Sequence, residues 1–318
     1  MAQYNPQVDL IFKKIFGVEE NKDLLISLIN SIVDEADQVK DVIIKNPYNQ
    51  QNFMHDKLSI LDIKAEGITG KLYNIEIQIT DEKNYEKRAL YYWGKMYSDQ
   101  LRNKGEYRDL RKAIGIHLLN FDCIRDPSLK DRYHNVFGIK ERTLGFPYFR
   151  DLELHTIELN KFADLVKDKD ELTELELFKQ KVHRTIDWWI GFLTRYDLIQ
   201  KVDDINPDVK KAIDVLEYMY LSDQEREAYD DREKYLLLIN DALEKQMENG
   251  IELGRQMGLE EGLEKGKEIG FEEGEKSAQY KLYLKKISRG KTDNQIKDEM
   301  ELTNEEFEIL KSFSNKST

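Results

Sequence analysis

The chain has 318 residues, and its single cysteine, Cys123, excludes an intramolecular disulfide. Charged residues make up 35% of the sequence, and no run approaches the ~20 apolar residues of a transmembrane helix. The N-terminus lacks a basic and apolar leader, so we expect a cytoplasmic protein. Residues 1–150 carry 23 basic and 22 acidic side chains, whereas residues 151–318 carry 26 and 40. The net charge of −13 therefore arises in the second half, and it does not exclude a nucleic-acid partner for the first half.

The first 45 residues predict two helices and a strand. Apolar residues recur at helical spacing through residues 6–34, and Gly17 interrupts the run. Asp9 stands where the first helix begins, a position at which the helix dipole favours an acid. Residues 39–45 form an apolar run that ends at Asn46-Pro47 and predict the first strand.

The next two apolar runs, residues 58–65 and 72–79, predict a β-hairpin across a glycine-containing link. Side chains alternate along a strand, so the two faces of each run differ. A hairpin centred on Thr69 sets Asp62 directly opposite Glu76, with Cβ atoms roughly 5 Å apart. Two carboxylates at that distance repel each other, and a divalent cation between them would relieve the repulsion. The hairpin therefore predicts a metal site.

The hairpin offers the oxygen ligands that Mg²⁺ prefers, with Mn²⁺ as the alternative metal. Asp62 and Glu76 would supply carboxylates, and the backbone carbonyl of Ile77 would add a third oxygen. Gln78 faces the same way as Glu76 and would orient water or phosphate. Bound Mg²⁺ can neutralise a phosphodiester, activate water and stabilise the leaving oxygen. Two lysines in or near the partner strand are candidate phosphate contacts: Lys57 and Lys64.

A basic segment follows the hairpin. Residues 83–112 hold nine basic and four acidic side chains, and we expect a helix over about 82–104. The segment is either an ordinary solvated helix face or, beside the metal site, a phosphate-binding surface. Tyr92 is either part of that surface or a core aromatic. The candidate DNA contacts share one helix face: Arg88, Tyr92, Lys95 and Arg102.

Further strands are expected at residues 113–121, 133–139 and 152–159. The first is almost continuously apolar, as in a central strand that is covered on both faces. From about residue 161 the sequence becomes helical and acidic. The pattern predicts an α/β fold with a helical C-terminal extension.

Seven glycines recur every four residues from Gly250 to Gly274. Each glycine costs a helix roughly 1 kcal/mol relative to alanine, so a compensating interaction is expected. Small residues at this spacing allow close helix approach, and the charged residues between them exclude a membrane span. Self-association into a homo-oligomer is one interpretation, and a frayed acidic linker is the other.

Two capping patterns mark the tail. Thr292 with Gln295 and Thr303 with Glu306 match the capping box, and Gly290 suits a helix end. We expect short helices over about 293–300 and 304–313, forming a hairpin for packing or for binding a partner.

Several of these segments together resemble a known family. The strings DLIFKKIFG, LLISLIN, DKLSILD, YNIEIQ and RALYY begin at residues 9, 24, 56, 73 and 88. In this order they resemble the Rpn family of recombination-promoting nucleases, a transposase-type family of the PD-(D/E)xK superfamily. The resemblance covers roughly residues 6–195, and the glycine repeat also looks like members of this family.

The resemblance implies a restriction-endonuclease-like core, a mixed sheet flanked by helices, and Mg²⁺-dependent DNA cleavage. By position, Asp62 is the motif aspartate and Glu76 its second acid. Gln78 stands where many relatives have lysine, and an amide cannot act as a cationic acid or clamp. This substitution is common in the family, so it does not argue for an inactive enzyme. Asp9 matches an upstream acid that would complete the site, and its alternative is a helix-start acid.

We expect a nuclease core over residues 1–165, a helical region over 166–245, the glycine-repeat helix over 246–276 and a helical hairpin over 277–318. The expected function is a metal-dependent DNA endonuclease that promotes recombination or acts in phage defence. The alternative is a catalytically inactive nuclease fold that serves as a DNA-binding or protein-binding assembly module. The histidines have no paired ligand spacing, so zinc is not expected.

Overall fold

The computed structural model describes residues 4–46, 48, 62–81, 84–101, 106–167 and 173–312. The chain divides into two compact units, Met1–Ile239 and Asn240–Thr318. The strands are β1 Val42–Ile44, β2 Ile63–Gly67, β3 Leu72–Gln78, β4 Ala113–Leu119, β5 His134–Phe137 and β6 Leu152–Glu158. The helices are α1 Asp9–Phe16, α2 Lys22–Ile32, α3 Tyr85–Asp99, α4 Leu159–Leu165, α5 Glu174–Lys181, α6 Thr185–Thr194, α7 Tyr196–Ile199, α8 Pro207–Glu217, α9 Asp223–Ile287, α10 Asp293–Glu299 and α11 Asn304–Ser312.

The strands form one mixed six-stranded sheet in the order β1-β2-β3-β4-β6-β5. The pairs β1/β2, β2/β3 and β5/β6 are antiparallel, whereas β3/β4 and β4/β6 are parallel. Strand β4 is buried at every position, as its continuous apolar run predicted. The expected mixed sheet with flanking helices is therefore present.

One face of the sheet is apolar and lies beneath helices. Ile75 and Ile77 of β3 join the main core cluster together with Phe12 of α1, Leu25 of α2 and Trp189 of α6. The helices arise from the apolar stripes predicted on either side of Gly17, and these stripes supply the surface that packs on the sheet.

The opposite face of the sheet is polar at its centre and is covered by α3. Tyr85 and Ala89 of α3 pack on Leu119 and Phe121, which lie at and beyond the end of β4. The described helix is Tyr85–Asp99, shorter than the expected 82–104, and residues 82–83 and 102–105 lie outside the described part of the chain. The polar side chains of β3 are therefore buried beneath α3 instead of facing solvent.

The predicted hairpin has the expected register. Ile63 pairs with Ile75 and Ala65 with Tyr73, so the centre falls at Thr69. Gly70 has φ of +78°, a left-handed conformation that glycine adopts without strain, and this closes the turn. Strand β2 begins at Ile63, so Asp62 immediately precedes it, and residues 58–61 of the expected strand lie outside the described residues.

The Asn240–Thr318 unit contains the glycine repeat and the capped tail. The segment with the glycines is helical and exposed, and within the described chain nothing lies within 4 Å of a Cβ placed on any of the seven. The capping box of Thr292 is present, and α10 and α11 form a small core with the last turns of α9, whose buried residues are Tyr283, Ile296, Phe307 and Leu310. The expected boundaries at residues 165, 245 and 276 stay predictions.

Candidate active site

Glu76 lies in β3 on the polar face of the sheet and is only 7% exposed. Its Oε1 accepts a hydrogen bond from Arg88 Nη2 at 2.6 Å, and its Oε2 lies 3.8 Å from His117 Nδ1. The strand register aligns Glu76 with His117 of β4 and Thr156 of β6. The three residues therefore form a buried polar row across the centre of the sheet, beneath α3.

His117 is a neutral neighbour of Glu76 that we did not predict. Burial, followed by the charges of Arg88 and His155, lowers the pKa of His117 to about 4. Its Nδ1 lies 2.9 Å from the Tyr85 hydroxyl of α3. A Cβ on Gly115 would lie 2.9 Å from His117 Nε2, so the glycine makes room for the imidazole. At neutral pH this ring does not neutralise the Glu76 carboxylate.

Asp62 is anchored through its backbone. Its carbonyl oxygen accepts hydrogen bonds from Lys13 Nζ and Asn46 Nδ2, each at 2.9 Å. The pairing of β2 with β3 ends where Ile63 lies opposite Ile75, and one further residue of the same register would set Asp62 opposite Glu76. The Asp62 side chain is 21% exposed, and its Oδ2 lies 3.5 Å from Lys64 Nζ. Lys64, a predicted phosphate contact, therefore pairs with Asp62.

Lys13 of α1 is a second residue that sequence reasoning missed. It is fully buried, and burial lowers its pKa to about 8, while the charge of Asp62 opposes that shift. A Cβ on Gly17 would lie 2.9 Å from Lys13 Cγ, so the lysine stem occupies the space that this glycine leaves. The signal in the sequence was a lysine within the apolar stripe of α1, but its partner Asp62 is 49 residues away.

Gln78 and Ile77 end strand β3 beside these residues. Gln78 is 7% exposed, and its Nε2 donates to Thr80 Oγ1 at 3.1 Å. The Gln78 carbonyl accepts from Asn120 N at 2.9 Å, next to β4. Successive carbonyls of a strand point to opposite neighbours, so the Ile77 carbonyl is directed toward the β2 side, where Asp62 lies. This direction agrees with the predicted backbone ligand.

Arg88, the residue that we expected to be the main phosphate contact, reaches the polar row. Its guanidinium contacts Glu76 and lies 5.8 Å from the ring centre of Tyr85 and 5.4 Å from that of Tyr92, and the side chain is 32% exposed. Tyr92 is 39% exposed and is therefore not a core aromatic. The contact between Arg88 and Glu76 depends on how α3 packs on the sheet, which helical spacing alone does not give, and the role of Arg88 as a phosphate contact stays a prediction.

The remaining predicted residues lie farther from the two carboxylates or outside the described chain. Asp9 is in the first turn of α1, and its Oδ2 lies 3.5 Å from Arg232 Nη2 of α9. Burial raises the pKa of Asp9 even though Arg232 opposes that shift. No hydrogen bond or ion pair of the described residues joins Asp9 to Asp62 or Glu76, and its contacts are those of a helix-start acid. Lys95 is exposed on α3. Two predicted contacts lie outside the described residues: Lys57 and Arg102.

We expected the two carboxylates to repel each other unless a divalent cation lay between them. In the structure each carboxylate has a side-chain cation nearby, Arg88 for Glu76 and Lys64 for Asp62. Charge repulsion therefore does not by itself require a metal ion. The case for a metal depends on the donor atoms instead.

The donors available at the hairpin are all oxygens. Two carboxylates that the continued register would set opposite each other, with the Ile77 carbonyl directed toward β2, fit Mg²⁺, which typically keeps several waters and takes one or two protein carboxylates. Within the described ranges, no group of three or more His, Cys, Asp or Glu side chains is arranged to hold a metal ion. The residues thus fit a hydrated hard cation and not an all-protein cage.

Comparison with known proteins gives one match. The family model described as PD-(D/E)XK nuclease family transposase matches residues 6–246. A search of curated proteins and a search of solved structures each find no match. None of the described helices is both long enough and apolar enough to cross a membrane. The mixed sheet, its flanking helices and this match agree in giving an α/β restriction-endonuclease-like fold, and the chain belongs to the PD-(D/E)XK nuclease family transposases.

Proposed function

We propose that the protein is a Mg²⁺-dependent DNA endonuclease in which Asp62 and Glu76 bind the metal ion. The observation that supports the proposal is the hairpin register, because one further residue of the same register beyond Ile63 and Ile75 would set Asp62 opposite Glu76. Membership of a nuclease family supports phosphodiester hydrolysis as the reaction. Mn²⁺ would satisfy the same donors. Promotion of recombination or phage defence is the proposed cellular role.

The side chains around the carboxylates have distinct roles in this proposal. Lys13 and Asn46 hold the backbone of Asp62, and Arg88 donates a hydrogen bond to the Glu76 carboxylate. Gln78 would orient water or a phosphate oxygen through its amide. The bound metal ion would supply charge neutralisation and an activated water.

The DNA would follow the exposed face of α3. Lys95 is exposed two turns along the helix from Arg88, which is partly exposed beside Tyr92. Cationic side chains in a row beside an acidic centre can hold phosphates without reading bases. Arg88 would bind a phosphate close to the cleaved bond because it already reaches Glu76.

One observation favours a second candidate, a nuclease fold that binds DNA without cutting it. Glu76 is already engaged by Arg88 at 2.6 Å, and this ion pair would have to rearrange before the carboxylate could bind a metal fully. An inactive protein would bind DNA with an affinity that does not respond to Mg²⁺.

Nicking of supercoiled plasmid tests the first proposal. We expect cleavage with Mg²⁺, none with a chelator, and loss of cleavage in Asp62→Asn and Glu76→Gln. Glu66→Gln is the matched control, because Glu66 lies in the same hairpin and pairs with Lys45 away from the site. Calorimetry should show weaker Mg²⁺ binding in the first two variants. Full cleavage by Glu76→Gln would refute the assignment, and unchanged DNA binding without cleavage would support the second candidate.

A further inference from the structure

A second hairpin projects from the sheet between β5 and β6. We call residues 138–150 the arm. Lys140 pairs with Pro147 across it, and Glu141 N donates to Phe146 O at 2.8 Å. The Glu141 carboxylate accepts a hydrogen bond from Thr143 N at 2.9 Å, and this together with the amide of Leu144 closes the turn. The arm is therefore a hairpin whose backbone is held by its own hydrogen bonds.

The arm exposes large apolar side chains. Tyr148 is 77% exposed, Phe146 52% and Leu144 80%. Phe137 and Ile139, at the base of the arm, are also exposed. Contiguous apolar surface of this kind on a soluble domain commonly marks a binding site. The backbone pairing sets where these residues lie along the arm, and their exposed rings are accessible to a partner.

The charge of the arm indicates which partner fits. Its sequence holds three basic residues, Lys140, Arg142 and Arg150, and one acidic residue, Glu141. All three basic side chains are exposed, and none forms an ion pair with the described residues. Backbone amides of the turn hold the pKa of Glu141 below its usual range, so this carboxylate serves the turn itself. Aromatic faces interleaved with cations are typical of surfaces that bind single-stranded nucleic acid.

Helix α3 connects the arm with the candidate active site. At one end, the Tyr85 hydroxyl lies 2.9 Å from His117 in the polar row. At the other end, the Tyr97 hydroxyl donates to Asp151 Oδ2 at 2.8 Å, immediately after the arm. From Arg88 to Tyr97 the helix rises about 14 Å, which is about four nucleotide steps along one strand. A strand of DNA on the α3 face would therefore reach the arm within a few nucleotides.

We propose that the arm binds single-stranded DNA, with Phe146 and Tyr148 stacking on unpaired bases and the basic residues of the arm contacting phosphates. The proposal depends on the proposed function to the extent that DNA is the substrate. It adds a substrate class, namely DNA that has a single-stranded segment a few nucleotides from the cleaved bond.

Fluorescence anisotropy with labelled oligonucleotides in the presence of a chelator tests this proposal without cleavage. For the double variant Phe146→Ala/Tyr148→Ala, we expect affinity for single-stranded DNA to fall roughly fivefold or more for each ring that no longer stacks on a base. Affinity for duplex DNA of the same length should fall much less, because its bases are already stacked. Tyr218→Ala is the matched control, since Tyr218 is 86% exposed and lies after α8.

A charge variant provides an independent measurement. Lys140→Gln/Arg142→Gln should reduce the salt dependence of single-strand binding by a slope of about 0.7 for each phosphate that is no longer neutralised. Unchanged single-strand affinity in the aromatic variant, or an equal decrease for single-stranded and duplex DNA, would overturn the proposal. A smaller species by light scattering with unchanged DNA affinity would also overturn it, because the arm would then be a contact between copies of the chain.

The two proposals fail in different experiments. Anisotropy in a chelator does not require the metal site, so absence of the arm effect would leave plasmid nicking by Asp62 and Glu76 intact. Conversely, a plasmid that is never nicked would refute the endonuclease while the arm variants still bound single-stranded DNA more weakly.

Discussion

Replacing Lys13 by methionine tests whether this buried lysine serves the site or the fold. Lys13 is fully buried in α1, and its ammonium donates to the Asp62 carbonyl at 2.9 Å. Methionine has a similar length and fills the same space without charge. The substitution therefore removes the charge and the hydrogen bond to the Asp62 carbonyl, and it keeps the packing around Gly17.

The magnitude follows from the lowered pKa. A shift from 10.5 to about 8 means that folding costs about 3 kcal/mol for the charged lysine at pH 7. The hydrogen bond that is removed contributes about 1 kcal/mol, and Asn46 continues to donate to the Asp62 carbonyl at 2.9 Å. We therefore expect Lys13→Met to be more stable than the wild type by about 2 kcal/mol at pH 7.

The pH dependence has a definite sign. A lysine whose pKa is lowered on folding destabilises the native state fully below pH 8, and this effect disappears as the pH rises to 10.5. The unfolding free energy of the wild type should therefore approach that of Lys13→Met as the pH rises. The difference between the two should shrink by about 2 kcal/mol between about pH 8 and about pH 10. Urea unfolding followed by tryptophan fluorescence measures this, because Trp93, Trp188 and Trp189 all lie in the Met1–Ile239 unit.

The neighbouring residue is the matched control. Lys14 Nζ lies 2.7 Å from Oε1 of the buried Glu225, so Lys14→Met should lose stability where Lys13→Met gains it. Nicking by Lys13→Met should fall, because the Asp62 backbone loses one of its two anchors. A loss of stability in Lys13→Met would make the lysine an ordinary structural residue. A gain in stability with full nicking would remove it from the site.

Three further predictions concern other parts of the chain. Burial raises the pKa of Glu153, but hydrogen bonds from His155 and Lys112 outweigh burial and lower this pKa to about 2. The ionised Glu153 therefore stabilises the fold above pH 4.5, and this stabilisation is lost as the pH falls toward 2. In urea titrations, the difference in unfolding free energy between the wild type and Glu153→Gln should shrink by about 2 kcal/mol between about pH 7 and about pH 3, and a constant difference would contradict this prediction. Gly115→Ala would set a Cβ 2.7 Å from Leu154 Cδ2, so it should cost about 1–3 kcal/mol in urea and reduce nicking, whereas wild-type values would refute the steric argument. We propose that the glycine repeat mediates self-association. Replacing Gly258, Gly262 and Gly266 by leucine should therefore give a smaller species by light scattering, and a wild-type protein that is already monomeric would refute this proposal.

The hairpin and the central strand could be predicted because their signals are local. A period of two with a glycine turn sets the register of Ile63 against Ile75, and continuous apolar sequence marks β4. Lys13 and His117 could not be predicted, because their roles arise from elements far apart in the chain. His117 reaches Glu76 only through the parallel register of β3 and β4, which no short sequence pattern encodes.

The origin of the site residues has a consequence for incomplete chains. Lys13, Asp62, Glu76, Arg88 and His117 come from five separate elements or segments, and β4 must pair with β3 before the last of them is in position. Pairing of parallel strands over such sequence separations is late and slow, because loop closure precedes any stabilising contact. A chain still emerging from the ribosome, or one cut short before β4, therefore has no assembled centre. Any nuclease activity of this centre would thus begin only after β4 has paired with β3.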